Sequence, residues 1–216
     1  VFLHLTSLPG PHGVGDLGAG AREFIDFLAA ADQSLWQFCP LGPTSGAHGN
    51  SPYQAYSAFA GNPILVDLTD LAERGYLDEG DLDTPEAASP HEVRYDRVTE
   101  FKQSKLRAAF ESFQRDPNGD DVAAFEAFCE AESEWLDDYA LSISLKAEFD
   151  GALWTEWPAE IVTRDPDALA ERRDQLAEEI RYHKFVQWVF DEQWQDMADY
   201  AAEKGVKLVG DLPIYV

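Results

Sequence analysis

Two short stretches of this chain hold side chains whose types and spacing suit chemistry on a sugar. Ser51-Pro52-Tyr53-Gln54 sits inside a run dense in glycine and proline, with Tyr56 and Phe59 following. An aromatic face packs against the C–H face of a sugar ring, while a phenol hydroxyl and an amide supply directed hydrogen bonds. The same residues also suit a loop anchored on buried aromatics. The second stretch, residues 206 to 216, is an apolar, β-branched run that delivers one carboxylate, Asp211, near its end. A carboxylate at the C-terminal end of a parallel strand stands where open α/β sheets and (β/α)8 barrels place their sites, and bracing a loop is its plainer role. Glycosidic cleavage takes a nucleophile and a separate acid/base, so Asp211 alone does not suffice.

Other motifs carry less. Gly13-Val14-Gly15-Asp16-Leu17-Gly18 has the GxGxxG spacing of a dinucleotide loop. Pro9 and Pro11 separate it from the preceding apolar run, and the next apolar run ends in Pro40-Leu41 without an acid for a ribose hydroxyl. A shaped structural loop is the better reading. His4, His12, His48, His91 and His183 form no i, i+4 pair and no HExxH arrangement, so no metal centre is expected, although His12 and His48 could contact a ligand from loops. Cys39 and Cys129 have neither metal spacing nor a disulfide framework and read as core thiols in a reducing compartment.

The elements that must position these residues follow a strand-helix rhythm. Val1 to Leu5 reads as a strand. Ala21, Phe24, Ile25 and Leu28 then make a helical apolar stripe, and Leu35 to Cys39 is a second short strand. Strand, helix, strand favours a parallel βαβ unit with a right-handed crossover. Residues 40 to 63 form an irregular loop of the kind that carries function. Helical periodicity covers 96 to 114, 121 to 148 and 167 to 204, the last opened by Asp165-Pro166. Gly205 ends that helix and leads straight into a strand at 206 to 211. The expected division is 1–63 as a first βαβ part with its loop, 64–180 as a mainly helical insertion, and 181–216 as a helix and third strand.

Of 216 residues 45% are hydrophobic, enough for a substantial core. No stretch reaches the roughly 18 apolar residues of a membrane span. With 41 acidic against 16 basic residues the net charge is −25, which excludes a phosphate-backbone footprint, so nucleic acid is not an expected partner. The acids are dispersed over helix-like segments and read as solvated faces, suited to a salt-rich cytoplasm that screens their repulsion. The missing initiator Met, and a final residue inside an apolar run, suggest an internal piece of a longer enzyme.

Taken together, several stretches in one order resemble the amylomaltases, the 4-α-glucanotransferases of glycoside hydrolase family 77. They are residues 4–10, 13–18, Ser34-Leu35-Trp36-Gln37 with 40–43, 51–54 through 57–63, Trp154-Thr155-Glu156-Trp157-Pro158, Phe185-Val186-Gln187-Trp188 and 210–216. Leu5 stands where many members have Pro. The resemblance implies an α/β fold: the N-terminal part of a (β/α)8 TIM barrel, about strands one to three, with a mainly helical insertion. It implies a retaining double displacement that moves an α-1,4-glucan segment to the 4-OH of another glucan or of glucose. The implied partners are therefore maltooligosaccharides, α-1,4-glucans and a glucose acceptor, with no metal or organic cofactor. By position, Tyr53 is expected near the sugar at the cleavage point and Asp211 on a hydroxyl of that ring, with Ser51 and Gln54 as neighbours. The family's nucleophile and acid/base belong to later strands, so no catalytic residue is expected in this chain. A saccharide-binding or scaffold half-barrel without turnover is the alternative.

Overall fold

Ala21, Ile25 and Leu28 are fully buried along one face of α1 (Ala19–Ala30), and Phe24 packs beside them. This is the stripe that the sequence spacing predicts. The structure, a computed structural model, describes residues 1–82, 92–116 and 118–215. His91 lies outside the described residues. By contact density the chain forms two units, Val1–Asn118 with Val189–Val216, and Gly119–Trp188.

In the first unit α1 leads into β1 (Leu35–Gln37), which pairs in parallel with β2 (Lys207–Val209). The register sets Leu35 against Lys207, Trp36 against Leu208 and Gln37 against Val209. The strand expected at Val1 to Leu5 is reduced to a single parallel bridge, Phe2 to Gln37, on the other edge of β1. Leu3 N donates to Gln37 O at 2.9 Å and Gln37 N to Val1 O at 2.8 Å, after which Leu5–Ser7 tightens into a 3-10 turn. That turn rolls Leu5 and Leu8 inward, where both are buried, and extended pairing cannot continue. The strands at 35–39 and 206–211 are likewise shorter than expected, each trimmed to its central residues.

Trp36 anchors this unit. It is fully buried, its Nε1 donates to Leu3 O at 2.8 Å, and its ring meets Phe24 and Phe38 edge-on. Phe38 in turn meets Trp194 of α8 (Ala177–Glu203). Helix α3 (Tyr95–Arg115) packs on the 3-10 turn at Pro63–Leu65 and against α2 (Leu68–Glu73), and buries Val98, Leu106, Ala109, Phe110 and Phe113. Gly205 has φ +76°, with Val206 N bonding Ala201 O at 2.8 Å and its own N bonding Ala202 O at 3.0 Å. This Schellman turn aims the chain from α8 into β2.

The second unit is helical: α4 (Gly119–Ala131), α5 (Ser133–Glu148), α6 (Ala159–Val162), α7 (Pro166–Gln175) and the first part of α8. The periodic segment 121 to 148 is two helices because Glu132 (φ −98°, ψ 8°) leaves helical geometry. Segment 167 to 204 divides at Leu176 (φ −105°, ψ 17°), whose side chain packs on the cluster of Leu141, Leu145, Ile161 and Leu169. Asp165 Oδ1 accepts from the Asp167 and Ala168 amides ahead of Pro166, the cap expected from sequence. Among the described residues, no helix is long and apolar enough to cross a membrane.

Candidate saccharide site

Past the C-terminal end of β1 the chain runs through Phe38 and Cys39 into the Gly/Pro loop; past β2 it runs through Gly210 to Asp211. Because the strands are parallel and in register, both exits lie on the same edge. Phe38 N still bonds Val209 O at 3.1 Å, which holds the exits together for one more residue.

The loop is fastened before it presents anything. Asn62 Oδ1 caps the turn at Ile64 N, its Nδ2 donates to Thr44 Oγ1, and its backbone N reaches Leu41 O at 2.8 Å. A Cβ on Gly61 would stand 2.2 Å from the Phe190 ring, so glycine is what lets the loop lie on α8. Gln54 N closes a turn on Ser51 O at 3.1 Å. Tyr53 O then accepts from Ile214 N at 3.2 Å and Tyr215 N at 3.1 Å, Ala55 N donates to Tyr215 O at 3.1 Å, and Gln54 and Tyr215 form a parallel bridge.

That ladder brings Tyr53 onto Asp211, although the two are 158 residues apart in sequence: the phenol hydroxyl donates to Asp211 Oδ2 at 3.0 Å. Asp211 Oδ1 accepts from the Leu212 amide at 2.9 Å. The hydrogen bond to this carboxylate, then partial desolvation and the neighbouring Cys39 thiol, push the Tyr53 phenol up to about 12. Tyr53 therefore stays a neutral donor across any ordinary pH. Asp211 is exposed, and each of its oxygens keeps accepting capacity beyond these two bonds. Ser51 and Gln54 are half-buried beside this pair and shape it through their backbones. Tyr56, Phe59 and Tyr215 remain well exposed on the same loops.

Cys39 is half-buried rather than a core thiol, and it contacts the Tyr53 hydroxyl. Its place just past a strand end was the available signal. Cys129 is also half-buried, and burial raises its thiol to about 11. His12 does not face a ligand: it is buried and stacked on Phe101 at 5.5 Å. Burial, then Lys102, lower its pKa to about 4, against the opposing pull of Asp16 and of a hydrogen bond to the Leu82 carbonyl. His48 is exposed at the end of the 3-10 turn Gly46–His48. Among the described residues no group of three or more His, Cys, Asp and Glu side chains could hold a metal ion.

The glycine-rich loop is packed on its own protein. Gly13 takes φ +80°, a Cβ on Gly15 would fall 2.1 Å from Leu5 O, and one on Gly18 2.4 Å from Asp67 Oδ2. The Gly18 amide, at the start of α1, already donates to Asp16 Oδ1 at 3.2 Å. Asp16 is buried against Lys102 Nζ at 2.7 Å, which also donates to Val66 O at 2.5 Å. A carboxylate occupies the place a phosphate would need, and the dinucleotide reading fails on that charge.

Two parallel strands lead, past their C-terminal ends, to a phenol-carboxylate pair with exposed aromatics on the same loops, the arrangement of an α/β fold that presents its candidate site at a strand-end edge. The chain belongs to the 4-alpha-glucanotransferase family, whose model matches residues 3–216. It is 45% identical over 216 residues to a 4-alpha-glucanotransferase of Synechocystis sp., covering all of this chain and 42% of that protein. A 4-alpha-glucanotransferase of Thermus thermophilus is 44% identical with the same coverage. Among solved structures, an amylomaltase from Streptococcus agalactiae in complex with acarbose superposes with a TM-score of 0.93 at 36% identity, covering 100% of this chain and 43% of that one. The fold of an amylomaltase from Corynebacterium glutamicum matches with a TM-score of 0.67 at 17% identity. The chain thus spans about 42% of the length of the curated relatives it matches.

Proposed function

We propose that this chain forms part of a 4-α-glucanotransferase, as the first strands and helical insertion of a (β/α)8 barrel. The whole enzyme transfers an α-1,4-glucan segment to the 4-OH of another glucan or of glucose by a retaining double displacement. The observation that carries this reading is the Tyr53–Asp211 hydrogen bond at 3.0 Å, which ties the loop that follows β1 to the residues just past β2. In this reading Tyr53 lies against the sugar at the cleavage point. Its proton is committed to Asp211, so the phenol oxygen accepts from a sugar hydroxyl while the ring covers the C–H face. Asp211, fixed by Tyr53 and the Leu212 amide, uses its outer lone pairs to hold a second hydroxyl. Together they fix one ring in place, which is the entropic part of catalysis. The nucleophile and acid/base come from the part of the enzyme beyond this chain, and the enzyme works in the cytoplasm.

The test is chromatography of maltotriose incubated with the full-length enzyme and, separately, with the 216-residue chain. The full-length enzyme should yield glucose and longer maltooligosaccharides, and the 216-residue chain none. Products from the short chain would refute this division of labour. Maltooligosaccharide binding without products from the full-length enzyme would make it a saccharide-binding scaffold.

A further inference from the structure

The second unit contains a cavity of about 270 Å³ with one aromatic wall and one charged wall. The aromatic wall comes from a loop held rigidly from behind. Lys146 Nζ donates to Gly151 O at 3.0 Å, and Glu156 Oε2 accepts from Leu153 N at 3.4 Å. Trp157 turns its Nε1 inward to Ala152 O at 3.3 Å and packs on Phe149. Trp154, one turn earlier on this loop, lines the cavity yet is 60% exposed. An indole held in water by a fastened loop is a prepared contact surface, because little ordering remains to be done on binding.

Arg164 and Asp138 also line the cavity. Arg164 is held at φ +57°, beyond the end of α6, and its Nη2 donates to both Asp138 oxygens at 2.9 and 2.8 Å. Both side chains remain partly exposed, so each keeps hydrogen-bonding capacity toward the cavity mouth. Asp138 is shared with Arg173, whose Nη2 lies 3.9 Å from Oδ1, so its charge is compensated and the lining offers guanidinium donors and carboxylate acceptors side by side, in the same cavity as an aromatic ring. That combination suits an uncharged, flat, hydroxyl-rich ring. Asp138 and the net charge of −25 disfavour phosphate or acidic peptide, and a purely apolar ligand would leave the ion pair desolvated without compensation. The volume lies just below the roughly 300–1,000 Å³ of pockets for drug-sized ligands, which limits the occupant to a small one.

We infer that this cavity is a saccharide-binding site that retains long α-1,4-glucans by stacking one glucose ring on Trp154, with Arg164 and Asp138 bonding its hydroxyls. The inference rests on the proposed glucan chemistry of the whole enzyme. It is tested on the full-length enzyme with Trp154→Ala and Trp154→Phe, by retardation in native gels containing glycogen and by disproportionation of maltotriose. Trp154→Ala should weaken glycogen affinity about tenfold, with Trp154→Phe between it and the parent. Maltotriose turnover should stay within about twofold in both variants. Unchanged retardation of Trp154→Ala overturns the site, as does a loss of maltotriose turnover that parallels the loss of retardation in both variants. A parent enzyme that is retarded but makes no products from maltotriose would instead refute the transferase reading and leave the binding result legible.

Discussion

Tyr53 and Asp211 act as one group. Removing the hydroxyl with Tyr53→Phe leaves the stacking face but frees the carboxylate to rotate, and Asp211→Asn keeps the shape while removing the charge. Asp211 is exposed and Tyr53 only half-buried, so folding stability should change by about 1 kcal/mol or less. In the full-length enzyme kcat/KM for maltotriose should fall about tenfold or more in each. The double variant should lose less than the sum of the two single ones, because each single variant also breaks the hydrogen bond that orients the other residue; strictly additive losses in a kinetic double-mutant cycle would separate the two roles. His12 gives a second measurement. Its folded-state pKa, about 4, lies below the ordinary 6.5, so the native state holds the neutral imidazole. Stability from this group is complete above pH 6.5 and falls as the pH drops through 4, because the unfolded chain binds the proton first. The full difference is about 3 kcal/mol. Urea midpoints at pH 7 and 4.5 should differ less in His12→Phe than in the parent, with His4, also lowered by burial, supplying part of what remains.

The elements hold these residues through polar contacts that the apolar pattern only partly announces. Lys102 occupies a core position of α3 between Val98 and Leu106, fully buried, with Asp16 as its counter-ion. Lys102→Met should cost about 3–5 kcal/mol, since Asp16 would be left as an uncompensated buried charge beside Asp67. That carboxyl is already pushed up by burial and by Asp16. Lys102→Met combined with Asp16→Leu should recover part of the loss in denaturant unfolding; failure to recover any would remove the pair from the account. Helix faces, the Asp165-Pro166 start and the Gly205 stop were legible because periodicity and caps are local. The breaks at Glu132 and Leu176 were not, because neither residue is a breaker and tertiary packing decides them. Tyr53 and Asp211 were legible one by one, from residue type and strand end. Their contact was not, since it depends on the ladder between residues 53–55 and 214–215. The strand at Val1 to Leu5 misled because an apolar run does not reveal that Leu5 and Leu8 fold inward through a 3-10 turn.

At the scale of the molecule the charge of −25 dominates solution behaviour. Ion pairs such as Arg172 with Glu148 and Arg181 with Glu126 draw on only 16 basic residues against 41 acids, so a large excess of negative charge repels itself through water. Raising KCl from about 0.1 to 1 M shortens the screening length from about 10 to 3 Å. The thermal midpoint should therefore rise by several degrees, followed by circular dichroism; a midpoint that falls with salt would mean that the remaining ion pairs outweigh the repulsion.

The ladder joining residues 53–55 to 214–215 also sets a schedule for synthesis. Tyr53 is made 158 residues before the carboxylate it bonds. At about 5–20 residues per second this separation lasts roughly 8–30 s, far longer than a loop or helix needs to form. Throughout that interval the nascent polypeptide carries Tyr53, with Tyr56 and Phe59 just beyond it, while the partners of residues 53–55 at 214–215 have not left the ribosome. The edge that joins Tyr53 to Asp211 is thus among the last parts of this chain to mature, and its exposed aromatics are during those seconds a surface for chaperones to hold.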